Sequence, residues 1–146
     1  MIEIVSEKNI DEVLPLISQY QKFYNATEIS DAKNREFFSQ FGEKNPAGCL
    51  FVFREKSKIV CFATVYFTFA STIVSKVAVL NDLYTLPGYR GKGIGRQLVE
   101  HCRIFSSKRG AKRLQWVTAP DNVPAQKLYD SLNTSRSTWC FYTYST

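Results

Sequence analysis

Leu83-Tyr84-Thr85-Leu86-Pro87-Gly88-Tyr89-Arg90-Gly91-Lys92-Gly93-Ile94-Gly95-Arg96 reads as a strand end, a turn, and glycines opening a helix. Successive backbone N–H groups at a helix start form a concave donor site, and the helix dipole adds about half a positive charge there. Glycines let an anion come close because no Cβ stands in the way. Arg90, Lys92 and Arg96 supply formal charge. A pyrophosphate fits such a loop, with a ligand-free glycine turn as the plainer alternative. Two other phosphate loops do not match. No Gly-Lys pair is followed by Ser or Thr in the Walker frame, and Gly91, Gly93 and Gly95 give G-x-G-x-G rather than a dinucleotide fingerprint. The frame that fits is R-x-x-G-x-G, as Arg90, Gly93 and Gly95.

Outward from the loop, charge is concentrated. Pro87 to Arg113 holds eight basic residues against Glu100, while the rest of the chain has 11 basic and 12 acidic residues, so the net +6 comes from this stretch. That points to a local polyanion site rather than a basic coat. Lys108, Arg109, Lys112 and Arg113 read equally well as a solvated helix face. Only Phe105 interleaves as an aromatic between Arg90 and Arg113, which argues against a nucleic-acid module.

The chain's 146 residues suit one domain, 1–146. Apolar residues at 45% and charged residues at 22% exclude disorder. Cys49, Cys61, Cys102 and Cys140 form no C-x-x-C pair, and His101 is the single histidine, so no metal site is expected and all five read as packing. The start shows no secretory leader, giving a cytoplasmic expectation with reduced thiols. Ile59 to Ser75 lacks charge over 17 residues but carries Thr64, Tyr66 and Thr68, which reads as a buried strand and not a membrane span.

The remaining pattern is strand Ile2 to Val5; a helix capped by Asn9 with Pro15 inside it; helix Ser30 to Phe41 stopped by Gly42; and a hairpin of Cys49 to Arg54 with Lys58 to about Phe69. Then come strand Lys76 to Thr85, a helix with Ile94, Leu98, Cys102 and Phe105 on one stripe, strand Arg113 to Thr118, helix Asn122 to Leu132, and a closing strand Trp139 to Tyr144. The order β-α-α-β-β-β-α-β-α-β predicts an α/β domain with a mixed central sheet and flanking helices. The last strand is aromatic on both faces; a homodimer edge and a covered edge are both open. In the last helix Asn122 and Tyr129 are seven apart, two turns on one face. Tyr129 reads there either as a donor or as a core aromatic.

Together these features resemble the GNAT N-acetyltransferase superfamily. The arginine–glycine loop matches that family's pyrophosphate site, and Asn122, Ala125, Leu128 and Tyr129 match its N-x-x-A-x-x-L-Y pattern. The resemblance implies acetyl-CoA as co-substrate, bound through Leu83, Tyr84, Thr85, Arg90, Gly91, Lys92, Gly93, Ile94, Gly95, Arg96 and Asn122. It implies a small-molecule amine acceptor and no nucleic acid, membrane or metal. Leu80-Asn81-Asp82-Leu83-Tyr84 looks closest to the small-amine and polyamine branch. There the residue before the Asp is often a Glu acting as base; here it is Asn81, so Asp82 or an ordered water takes that work. Thr85 stands where Val is usual.

A primary amine, with a pKa near 10.4, is almost wholly protonated at neutral pH, so acyl transfer needs a proton acceptor. Asp82 is the candidate base, a backbone N–H near Leu83 to Thr85 the oxyanion donor, and Tyr129 the acid toward the leaving thiolate. Direct attack is expected, since nothing prepares a Cys for a ping-pong route. For the acceptor, Tyr24 with Tyr20 and Phe23 precedes Glu28 and Asp31, an aromatic wall beside carboxylates that suits an alkyl cation. Tyr24, Glu28 and Asn81 are the candidate substrate contacts. A polyamine-like or amino-sugar-like base is expected; a protein lysine or N-terminus, and a non-catalytic CoA-binding regulatory domain, are the alternatives.

Overall fold

Lys56 takes a left-handed backbone (φ 55°) and turns β2 (Gly48–Glu55) back on β3 (Lys58–Ala70), placing the uncharged run inside a sheet. A computed structural model describes residues 1–146. The chain forms two compact units, Met1–Trp116 and Val117–Thr146.

In the first unit, β1 (Ile2–Ile4), β2, β3 and β4 (Ser75–Thr85) are joined antiparallel in that order, and β5 (Leu114–Gln115) adds parallel to β4. Helices α1 (Ile10–Phe23), α2 (Asp31–Ser39) and α3 (Ile94–Lys108) complete it. The sheet is mixed, as expected. Alternation along β3 sends Cys61, Ala63, Val65 and Phe67 to one face and Phe62, Thr64 and Tyr66 to the other. The first face meets α3, where Phe105 lies 4.8 Å from the ring of Phe51 and 6.0 Å from that of Phe67. His101 packs on Phe51 at 4.8 Å, so it is a packing residue. Cys49, Cys61 and Cys102 are buried. Burial pushes the Cys49 thiol up to about 11 and the Cys61 thiol up to about 12. The second face meets α1 and the residues after α2, with Tyr20 against Phe62 at 5.6 Å and Phe41 against Tyr66 at 5.0 Å. Gln21 and Asn34 exchange two amide hydrogen bonds of 2.8 Å and lock α1 to α2.

Local expectations hold with shifted details. Asn9 stands at the cap of α1, but its side chain turns back to accept from the Ser6 N–H at 2.8 Å and donate to the Ile4 carbonyl at 3.1 Å. Ser30 caps α2 through the Lys33 N–H, and the helix stops at Ser39, before Gly42. Gly110, at φ 86°, ends α3 as read. The strand expected over Arg113 to Thr118 is only two residues long.

The second unit holds α4 (Val123–Asp130), capped by Asn122 with Pro124 in its first turn. The expected closing strand is a correction: Trp139 to Tyr144 carries no strand, and Trp139, Phe141, Tyr142 and Tyr144 are exposed. β-propensity alone does not make a strand, because each backbone group needs a partner across the ladder. Cys140 is exposed with that segment, so it is not a packing residue. No helix is long and apolar enough to cross a membrane.

Candidate active site

β4 organises the site because its two edges differ. One edge pairs with β3 from Ser75 to Thr85; the other meets β5 only at Ala78 and Val79. From Leu80 onward the second edge has no strand beside it. The Leu86 N–H donates to the Val60 carbonyl on β3 at 2.9 Å. Backbone directions alternate along a strand, so Leu83 and Thr85 present their N–H and C=O groups to the open edge. The Thr85 carbonyl accepts from Arg90 Nε at 2.8 Å, while its hydroxyl donates to Cys61 Sγ at 3.1 Å.

The glycine loop follows through a short 3-10 turn, Pro87–Tyr89. Gly91 and Gly93 have φ of 73° and 79°, left-handed values that a side chain would strain, and nothing lies within 4 Å of where a Cβ would stand on either. Gly93 caps α3 with no side chain to offer, and the first intrahelical bond closes from the Gln97 N–H to its carbonyl at 3.1 Å. Ile94 and Gly95 thus have N–H groups without intrahelical partners at the positive end of the helix dipole. Ile94 is buried and anchors the turn. Gly91, Lys92, Gly93 and Arg96 are exposed. Lys92 lies over the Tyr89 ring at 5.0 Å, and the Arg90 guanidinium lies 5.4 Å from the Tyr84 centroid. Arg90 therefore braces the loop against the end of β4. The cradle has the backbone, space and charge that a pyrophosphate requires.

On the opposite face of β4, a bulge decides the chemistry. Thr64 pairs with Asp82 and Val65 with Leu80, leaving Asn81 as an extra residue. The expected alternation is broken there: Asp82 and Leu80, two apart, lie on opposite faces. Asp82 is 6% exposed and sits among hydroxyls. The Thr64 hydroxyl donates to its Oδ2, and Asn81 Nδ2 donates to Oδ1 at 3.2 Å. Burial and the Asp82 charge hold the Tyr20 phenol well above its ordinary value, and burial first, then Asp82, pushes Tyr66 up to about 12. Tyr20 stacks on Tyr24 at 4.9 Å and faces Tyr84 at 6.3 Å. Tyr84 is buried, and its hydroxyl donates to Gln19 Oε1 at 3.4 Å.

The expected site residues are thus sorted. Asp82 shares a sheet face with Tyr84, whose ring meets Tyr20 and through it Tyr24, and Asn81 joins them through its hydrogen bond to Asp82. Glu28 does not share the cluster's contacts: its side chain is 86% exposed and pairs with Lys33 at 3.8 Å. Asn122 accepts the Ala125 N–H at 3.4 Å as the cap of α4, and Tyr129 is half-buried on that helix. Sequence reasoning missed Thr64 and Tyr66. Their signal was two polar residues at period two within an uncharged strand. No group of three His, Cys, Asp or Glu side chains could hold a metal.

Residues 14–133 match the Acetyltransferase (GNAT) family. The chain belongs to that family. This N-acetyltransferase is 30% identical over 118 residues to the uncharacterized N-acetyltransferase YhfO of Bacillus subtilis, covering 81% of this chain and 78% of the relative. It is 27% identical over 142 residues to the thialysine N-epsilon-acetyltransferase of Bos taurus, covering 90% and 82%. In fold it is similar to a probable acetyltransferase (TM-score 0.84, 23% identity, 100% and 97% covered). It is also similar to an aminoglycoside acetyltransferase from a soil metagenome in complex with sisomicin (TM-score 0.80, 20% identity, 100% and 95% covered). This GNAT enzyme is an acetyl-CoA-dependent N-acetyltransferase, and its family implies acetyl-CoA as co-substrate.

Proposed function

We propose that residues 1–146 act as one N-acetyltransferase domain that passes the acetyl group of acetyl-CoA to a small cationic primary amine in the cytoplasm. The observation that carries this reading is the buried Asp82 carboxylate on the sheet face that also carries Phe62 and Tyr84, against whose rings Tyr20 packs, with Tyr24 stacked on Tyr20. Aromatic faces attract an ammonium by about 0.5–2 kcal/mol, more as water is excluded, and a carboxylate opposite supplies the counter-charge and the proton acceptor. Relatives named for thialysine and for aminoglycosides act on cationic amines, which agrees with the reading.

In this reading the cradle at Gly91, Lys92, Gly93, Ile94, Gly95 and Arg96 holds the pyrophosphate. The open edge at Leu83 to Thr85 holds the pantetheine arm, and the Leu83 or Thr85 N–H stabilises the oxyanion as the amine attacks the thioester. Asn122 contributes to cofactor binding. Tyr129 protonates the departing thiolate, whose pKa lies near 8.5 by analogy with cysteine. Glu28 stands at the rim and draws cations in. Thiol release from acetyl-CoA, followed across a panel of polyamines, amino sugars, a lysine peptide and acidic or neutral amines, tests the assignment. Turnover should be fastest with the cationic small amines. Preference for a neutral or acidic amine, or for the peptide, overturns it.

A further inference from the structure

We propose that a cavity between the C-terminal end of α3 and the lead into β5 binds a phosphate monoester, at a site separate from the cradle. Of the eight basic residues between Pro87 and Arg113, Arg90, Lys92 and Arg96 belong to the cradle. The other five begin at Arg103, and the 15 residues of α3 put its two ends about 20 Å apart. One pyrophosphate does not reach both ends. The helix end does not need all of these charges either. The Arg109, Gly110 and Ala111 N–H groups already close the carbonyls of Phe105, Ser106 and Ser107. Lys76 Nζ donates to the Arg109 carbonyl at 2.8 Å. Arg109 itself is spent on the Glu43 carbonyl at 2.7 Å and on the Phe105 ring at 4.8 Å.

Arg103, Lys112 and Arg113 line a cavity of about 250 Å³ together with Ser107, Ala111 and Leu114, and no carboxylate lines it. Glu100, the one acid of the stretch, takes Arg103 Nε at 2.9 Å, and Arg113 Nε donates to Gln115 Oε1 at 2.8 Å. Lys112 and Arg113 pair with no carboxylate. Arginine grips phosphate oxygens two at a time and lysine adds a point charge, so three cations around one concavity match a dianion better than a carboxylate. The Ser106 hydroxyl is given to the Cys102 carbonyl at 2.7 Å, and the Ser107 hydroxyl adds a neutral donor. The volume is below the roughly 300–1,000 Å³ of drug-sized sites, which selects a compact ligand. A nucleic-acid strand would want an aromatic platform, and the neighbouring Phe105 ring is held against Phe51 at 4.8 Å. Leu114 pairs with Ala78, four residues before Asp82 on β4, so the site stands apart from the acceptor and holds whichever amine that is.

The test is calorimetry on the enzyme saturated with CoA, so that the cradle is already filled. Inorganic phosphate and glycerol 3-phosphate are the soluble probes, and vesicles of phosphatidate in phosphatidylcholine present the same monoester as a headgroup. A soluble ligand is identified by binding of a soluble probe with a dissociation constant of about 1 mM or below, and a lipid headgroup by binding of the phosphatidate vesicles alone. In either case the double variant Lys112→Gln/Arg113→Gln should weaken binding by about tenfold or more, with CoA affinity and the melting temperature without phosphate unchanged. Arg103→Lys keeps the charge and spares the fold, yet should lose about threefold or more because the planar fork is gone. Absence of binding by all three probes, or binding that both variants keep, overturns the proposal. So does tighter binding of a single-stranded oligonucleotide that phosphate fails to displace, which would make the surface a polyanion track.

Discussion

Asp82 stands opposite Thr64 because Asn81 bulges from β4. Without the extra residue the strand's period of two would put Asp82 on the face of Leu80, against α3 and away from Tyr20. One inserted residue therefore selects which face receives the carboxylate, while Leu83 and Thr85 keep their backbone groups on the open edge. The two halves of the chemistry, an acid on a face and donors on an edge, come from a single strand.

Gly93→Val should weaken CoA binding tenfold or more, about 1.4 kcal/mol. No neighbour lies within 4 Å of the new Cβ, so internal crowding is not the cause. The substitution strains a backbone at φ 79°, worth about 1–2 kcal/mol, and obstructs the approach of the pyrophosphate. Calorimetry reads the affinity and a melt reads the strain. An unchanged dissociation constant rules out the cradle.

Tyr129→Phe keeps the ring on α4 and removes the hydroxyl. If that group acts only in the transition state, kcat and kcat/KM fall together by roughly 10²-fold. Steady-state kinetics with the preferred amine decides it. An intact fold with unchanged kcat makes Tyr129 a packing residue.

Glu28→Gln should raise the KM of a cationic acceptor by less than about threefold, because an exposed charge is screened by solvent. Raising the salt from 0.1 M to 1 M shortens the Debye length from about 10 Å to about 3 Å and should produce a rise of the same order. The Asp82 contact, being buried, should resist that screening. A KM indifferent to both changes removes Glu28 from the acceptor path.

Alkali should unfold the protein through its buried thiols and phenols. Cys61 titrates near 12 in the folded chain against an ordinary 9.0, and Tyr66 near 12 against 10.0. The raised folded values mean that the unfolded chain releases these protons first. Stability is therefore fully present below about pH 9 and is lost as pH climbs from there toward 12. For Cys61 the slope reaches up to about 1.4 kcal/mol per pH unit. Urea midpoints at pH 8 and pH 10.5 should show the fall, and Cys61→Ala should flatten it. A midpoint that does not move between the two pH values contradicts this account.

The sequence by itself determined the element order through β5 and α4, the glycine cradle, and the family. Those follow from local rules: period two against 3.6, a glycine where φ must be positive, and charge confined to one stretch. Tertiary structure decided the rest. The bulge at Asn81 is a register property of two strands 18 residues apart, so no window on either strand reveals it. The hydroxyl that binds Asp82 comes from Thr64 on β3, and only packing brings Tyr20 of α1 against the rings of Phe62 and Tyr84 on the same face. Glu28 was legible in the sequence as a carboxylate after Tyr24, but its exposure and its pairing with Lys33 came only from the tertiary structure. The aromatic run Trp139 to Tyr144 had the composition of a strand, but a strand exists only where another backbone accepts its hydrogen bonds, and that pairing is not written in the segment itself.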